Sequence, residues 1–158
     1  MAHIVFILLF AAAIGSGVVG GMFYAFSSFV MAALGRIAPE QGVAAMNAIN
    51  VTVITPSFMV FFLGTALLCL ILGGGAVFGW GGGGAKFILA ASVLYFVGCF
   101  GATVIFNVPL NDQLAAVTPA DQTAVWVNYL DRWTMWNSVR AAASILSAIL
   151  FTIALLMG

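Results

Sequence analysis

The stretch Trp126–Arg140, WVNYLDRWTMWNSVR, decides how the rest of the chain is read. Successive residues on an α-helix turn by about 100°, so Trp126, Tyr129, Trp133, Asn137 and Arg140 share one narrow stripe, continued by Ser144. One face therefore carries aromatic rings, an amide and a guanidinium. No charged side chain follows Arg140, and Ala141 to Met157 is almost wholly apolar. The stripe thus runs from water into the end of a membrane-spanning helix, where every polar group needs a partner.

Composition supports that setting. Of 158 residues, 65% are hydrophobic and 5% charged, with a mean hydropathy of +1.23. A soluble domain carries roughly one-quarter charged residues, so this composition implies a multi-pass integral protein of a plasma or inner membrane, with the lipid bilayer as its surroundings. Four basic residues balance four acidic ones, which excludes nucleic acid as an electrostatic partner. Cys69 and Cys99 sit in apolar runs without CxxC spacing, and His3 is the single histidine. No metal site, structural zinc or bis-histidine haem follows from that set, and no cofactor is expected.

In chain order, the first span covers about 3–34. Ile4 to Phe10, followed by Ala11 and Ala13, has the look of a signal-peptide core. No Lys or Arg precedes it and the apolar run continues, so it reads as a retained span. Gly17 and Gly21 have the small-xxx-small spacing that lets helices approach, either within the monomer or between two copies in a homo-oligomer. Tyr24, Ser27 and Ser28 follow. Arg36, Pro39, Glu40 and Gln41 make the first loop, and a second span runs over about 46–72. Asn47 and Asn50 face one way at its start, and Pro56 lies inside it as a kink. Gly73–Gly84 holds eight glycines around Phe78 and Trp80. It lacks the Gly-Lys-Ser/Thr ending of a phosphate loop and reads as a flexible interfacial turn, with Trp80 at headgroup level.

A third span covers about 87–106, with Tyr95, Cys99, Thr103 and Asn107 on one stripe. Pro109 predicts a break flanked by Asn107 and Asn111. Thr118 as cap, Pro119 in the first turn and Asp121 then start a surface helix through Trp126 and Trp133 that leads into a fourth span, about 135–157. The expectation is one all-α domain over 1–158, an integral membrane four-helix bundle with an extra surface helix between spans 3 and 4. Four spans return both termini to one side. Asn47, Asn50, Asn107, Asn111, Trp133, Asn137 and Arg140 then collect near the other face.

Asn107-Val-Pro-Leu-Asn111, followed by a tryptophan-bearing helix that ends Trp133-x3-Asn137-x2-Arg140, resembles the small four-span membrane family that includes the anthrone oxygenases. The resemblance extends over nearly the whole chain. It implies oxidation of an anthrone to an anthraquinone by molecular oxygen, with no metal or flavin. Carried onto these residues, Arg140 would face the enolate oxygen of an apolar aromatic small molecule. Asn137, Asn107 or Asn111 would donate hydrogen bonds to it, and Asp112 would serve as base. Trp133 and Trp126 would stack on the ring system, with Tyr129, Asn50, Asn47 and Tyr24 completing the binding surface.

Two functional readings follow. One is a membrane monooxygenase acting on a planar phenolic or anthrone-like molecule. The other is a non-enzymatic membrane component, either an accessory subunit or a small-molecule carrier, in which Arg140 and the asparagines only lock helices together. An arginine inside a span is by default a functional-site candidate, and this favours the first.

Overall fold

The computed structural model describes residues 2–157, so Met1 and Gly158 lie outside the description. Five helices account for the fold, with no strand among the described residues. We number them α1, His3–Leu34; α2, Pro39–Thr52; α3, Pro56–Val77; α4, Gly82–Ala115; and α5, Gln122–Met157. All but α2 are long and apolar enough to cross a membrane.

The fifth helix is not where the sequence placed it. The expected second span, 46–72, is two helices: α2 ends at Thr52, the chain bends through Val53 to Thr55, and Pro56 opens α3. Pro56 is therefore a first-turn proline and not a mid-span kink. Thr55 caps the new helix, its Oγ1 accepting from the Phe58 N–H at 3.4 Å. Pro39, Glu40 and Gln41 belong to the first turn of α2, and only 35–38 form the loop.

Between α4 and α5 lies a short turn instead of a surface helix. Thr118 Oγ1 donates to Asp121 Oδ2 at 2.7 Å, and the Val125 N–H reaches the Asp121 carbonyl at 3.0 Å. Asp121 thus stands at the helix entrance, and Trp126 and Trp133 lie on α5 itself. Nor does Pro109 break α4. A wide π turn at Thr103–Asn107 precedes it, with the Val108 N–H bonded to the Thr103 carbonyl five residues back. The wider turn makes room for the pyrrolidine ring, which would otherwise press on a carbonyl in the preceding turn.

The 36 residues of α5 extend about 54 Å, well beyond ~30 Å of hydrocarbon. Two separate cores pack along that rod. The longer core joins α1, α3, α4 and the C-terminal half of α5 around Val19, Phe62, Leu72, Ile88, Tyr95 and Phe151. Close contact is set there by small residues. A Cβ on Gly20 would stand 3.1 Å from the backbone nitrogen of Ile145, and one on Gly15 would collide with Thr65 Oγ1. Gly17 and Gly21 have nothing within 4 Å of that position and face outward, so they do not pack the monomer.

The second core, here termed the cap, gathers Met31, Val43, Met46, Leu110, Leu114, Trp126, Tyr129 and Trp133 where α2 crosses the ends of the spans. Every charged side chain except Lys86 and Arg140 lies at this end, all of them exposed. At the opposite end the glycine-rich segment forms an ordered turn. Gly79, at φ +89°, closes α3 with paired bonds from the Trp80 N–H to the Gly75 carbonyl and from the Gly79 N–H to the Ala76 carbonyl. Trp80 folds back over Gly75, whose missing side chain makes room for the indole.

Candidate functional site

The junction of the two cores holds a cavity of about 260 Å³ to which all five helices contribute. This lies just below the ~300 Å³ lower end of small-molecule pockets. Its walls are aromatic and aliphatic: Phe23 and Phe26 from α1, Met46 and Ile49 from α2, Phe58 and Phe62 from α3, Val108 from α4 and Trp133 from α5. Phe58 and Phe62 stack with centroids 5.8 Å apart, and Phe23 meets both edge-on. The polar contributions are Asn50, Thr103, Asn111 and Arg140.

Arg140 is 4% exposed. Its guanidinium turns into the bundle, with NH1 donating to Thr103 Oγ1 at 3.2 Å and NH2 to Asn137 Oδ1 at 2.7 Å. The guanidinium carbon lies 4.1 Å from the Phe23 ring centroid and 5.2 Å from that of Trp133. Its Nε has no protein partner. Glu40, Asp112, Asp121 and Asp131 are all exposed, so no side-chain carboxylate accompanies this charge into the interior. A buried cation held only by neutral groups and ring faces is costly unless an anion joins it.

The surrounding amides have distinct jobs. Asn137 fixes Arg140 on one side and donates through Nδ2 to the Phe23 carbonyl and to Ser27 Oγ, both at 2.7 Å. Asn107 donates to the Trp133 carbonyl at 3.2 Å, tying α4 to α5. Asn111 Oδ1 accepts from Tyr129 OH at 2.7 Å and from Trp133 Nε1 at 2.8 Å, which leaves its Nδ2 as the end free to donate. Asn50 Nδ2 is buried without a protein partner.

Of the residues picked from sequence, the structure brings Arg140, Trp133, Asn111 and Asn50 to the cavity. Asn137 and Asn107 stand behind them as supports. Tyr129 and Trp126 continue the ring stack from Trp133 into the cap, at centroid spacings of 5.8 Å, and do not line the cavity. Asn47 is spent on the Leu114 carbonyl at 3.5 Å. Tyr24 is 60% exposed on the outside of α1. Asp112 follows Asn111 by a turn of about 100°, which points it to solvent and away from a base's position. Sequence reading passed over Thr103 as an arginine partner, although it shares a four-residue stripe with Asn107. It also passed over the phenylalanine walls, which no motif distinguishes from lipid-facing rings.

A second recess, about 780 Å³, opens at the other end of the bundle between His3, Trp80, Gly79 and Gly81–Gly83. It contains no buried charge. Among the described residues, no three His, Cys, Asp or Glu side chains converge as a metal-ligating group.

Compared with known proteins, residues 57–150 match the family model described as Anthrone oxygenase. No curated protein and no solved structure matches the chain. The matched stretch carries Thr103, Asn107, Asn111, Trp133, Asn137 and Arg140, and leaves out α1 and α2.

Proposed function

The chain belongs to the anthrone oxygenase family, and on that premise we propose that it is a membrane-bound oxygenase of planar, apolar phenolic or anthrone-like molecules. The observation that supports this most directly is Arg140, a buried cation with no carboxylate partner, beside an aromatic-walled cavity of about 260 Å³. Such a site favours the ionised form of a substrate whose anion is an aromatic enolate, because each form of charge compensates the other in a dry medium. No carboxylate lines the cavity, so the reading has the substrate arrive as its anion, its proton already released to water.

The overall reaction balances without a further reductant. An anthrone CH2 becomes a carbonyl, one atom of O2 enters the product, and the other leaves as water with the two hydrogens lost from that carbon. The four electrons that reduce O2 come from the substrate, the anion giving up the first. Within this reading Arg140 holds the enolate oxygen, Thr103 and Asn137 fix the guanidinium, and Trp133 lies against the ring face.

A second reading, a non-enzymatic component, draws on the bonds that Asn107 and Asn137 make across α1, α4 and α5, which lock helices irrespective of any ligand. Oxygen uptake by purified protein against a panel of anthrones and quinols separates the two. Arg140→Met should assemble normally and lose roughly a hundred- to a thousandfold in rate, the cost of one oxyanion-stabilising donor, ~2.7 to 4 kcal/mol. Arg140→Lys should recover little, because a point charge lacks the planar fork that Thr103 and Asn137 hold. Full activity in the Met variant, or uptake by wild type no faster than in protein-free detergent, would sink the oxygenase reading.

A further inference from the structure

Arg140 is not the cavity's only unsatisfied donor. Asn50 Nδ2, from α2, is buried with no protein partner, and Asn111, from α4, has its oxygen committed to Tyr129 and Trp133. The Nδ2 groups of these two cavity-lining amides therefore remain as neutral donors. Trp133 links the two positions, since its Nε1 touches Asn111 while its ring face lies 5.2 Å from the Arg140 guanidinium. Trp133 thus contacts the amide end through its N–H and faces the charged end with its ring.

We propose that Asn50 and Asn111 form a recognition subsite for a second, uncharged oxygen, so that the site selects fused-ring molecules oxygenated at both ends. The proposal rests on the oxygenase reading and deepens it. A fused ring system lying against Trp133 with one oxygen on Arg140 would carry its far edge toward the amides that line the same cavity. An acceptor there satisfies the buried Asn50 Nδ2, which a hydrocarbon edge leaves unpaired. Asn50 lies outside the stretch that matches the family, on the short helix that closes the cavity over α3. It is thus a determinant of which substrate this chain takes, separate from the charge that the reaction uses.

The test is calorimetric titration of detergent-solubilised protein under argon with 2-naphthol and 2,6-naphthalenediol, corrected with protein-free micelles. Wild type should bind the diol about three- to tenfold more tightly, the worth of a neutral hydrogen bond that rescues a buried donor. Asn50→Leu removes the amide and keeps a side chain of similar size; it should weaken the diol to the level of the naphthol and leave the naphthol unchanged. Equal affinities in wild type, a preserved preference in Asn50→Leu, or equal losses for both probes would overturn the subsite. Arg140→Met reports separately: loss of both probes supports the charged end, and unchanged binding of both counts against the oxygenase reading while leaving the amide comparison standing.

Discussion

In the membrane core the helices meet at Gly15 and Gly20, with backbone nearly against side chain. In the cap the same helices are held apart by Trp126, Tyr129 and Trp133, stacked in a column. The solvents explain the contrast. Lipid is as apolar as a leucine, so an interior made of bulk apolar surface gains nothing over lipid contact, and close approach through small residues supplies the attraction. Water borders the cap, where each large ring withdrawn from it is worth a few kcal/mol. Arg140 sits where the two regimes join. There the column of Trp126, Tyr129 and Trp133 ends and the small residues have not yet brought the helices together, and a cavity walled by phenylalanines is left between them.

The widest test of this contrast is Trp126→Ala. Trp126 is 2% exposed and seated against Gly42 of α2, so truncation should cost about 3–5 kcal/mol. Hydrogen exchange should rise in α2 and the first turns of α5 and stay slow over 143–154. Uniform loosening of both ends would mean that the cores are one cooperative unit. A smaller effect is expected from Gly20→Ala, which forces a methyl against Ile145 and Ser144. About 1–3 kcal/mol should be lost in a detergent unfolding titration, from the membrane core first. Gly17→Ala, three residues away with nothing within 4 Å, should stay within about 0.5 kcal/mol of wild type in the same titration. A loss as large as that of Gly20→Ala would show that the outer face of α1 is also packed, against something other than this chain.

Much of this architecture is legible in the sequence, because a run of about 20 apolar residues has few other uses. The elbow at Val53–Thr55 is hidden because Val51, Val53 and Ile54 keep the run largely apolar across it. The cue that was present, Thr55 followed by Pro56, is a helix start and was read as a kink. Pro109 misled in the opposite direction: no composition signal marks a π turn, so a continuous helix looked broken. At the site, the α5 stripe placed Arg140, Asn137 and Trp133 on one face, since helical spacing alone determines that. Which neighbours reach that face depends on how α1, α2 and α3 pack, and Phe23, Phe58 and Phe62 carry no mark of it. Asp112 was drawn in by adjacency along the chain, which on a helix means adjacency only in sequence.

The π turn at Thr103–Asn107 has a consequence best put in genetic terms. A turn closed five residues back carries one residue more than an α turn, and so behaves as an insertion that the helix has absorbed without breaking. Deleting a single codon there would let this turn relax to ordinary winding, with the residues on either side keeping their faces. A codon lost outside the wide turn has no such reserve and would rotate every later residue by about 100°, taking Asn111 from its two donors, so where the reading frame of one helix loses a residue decides whether the cavity has a polar end.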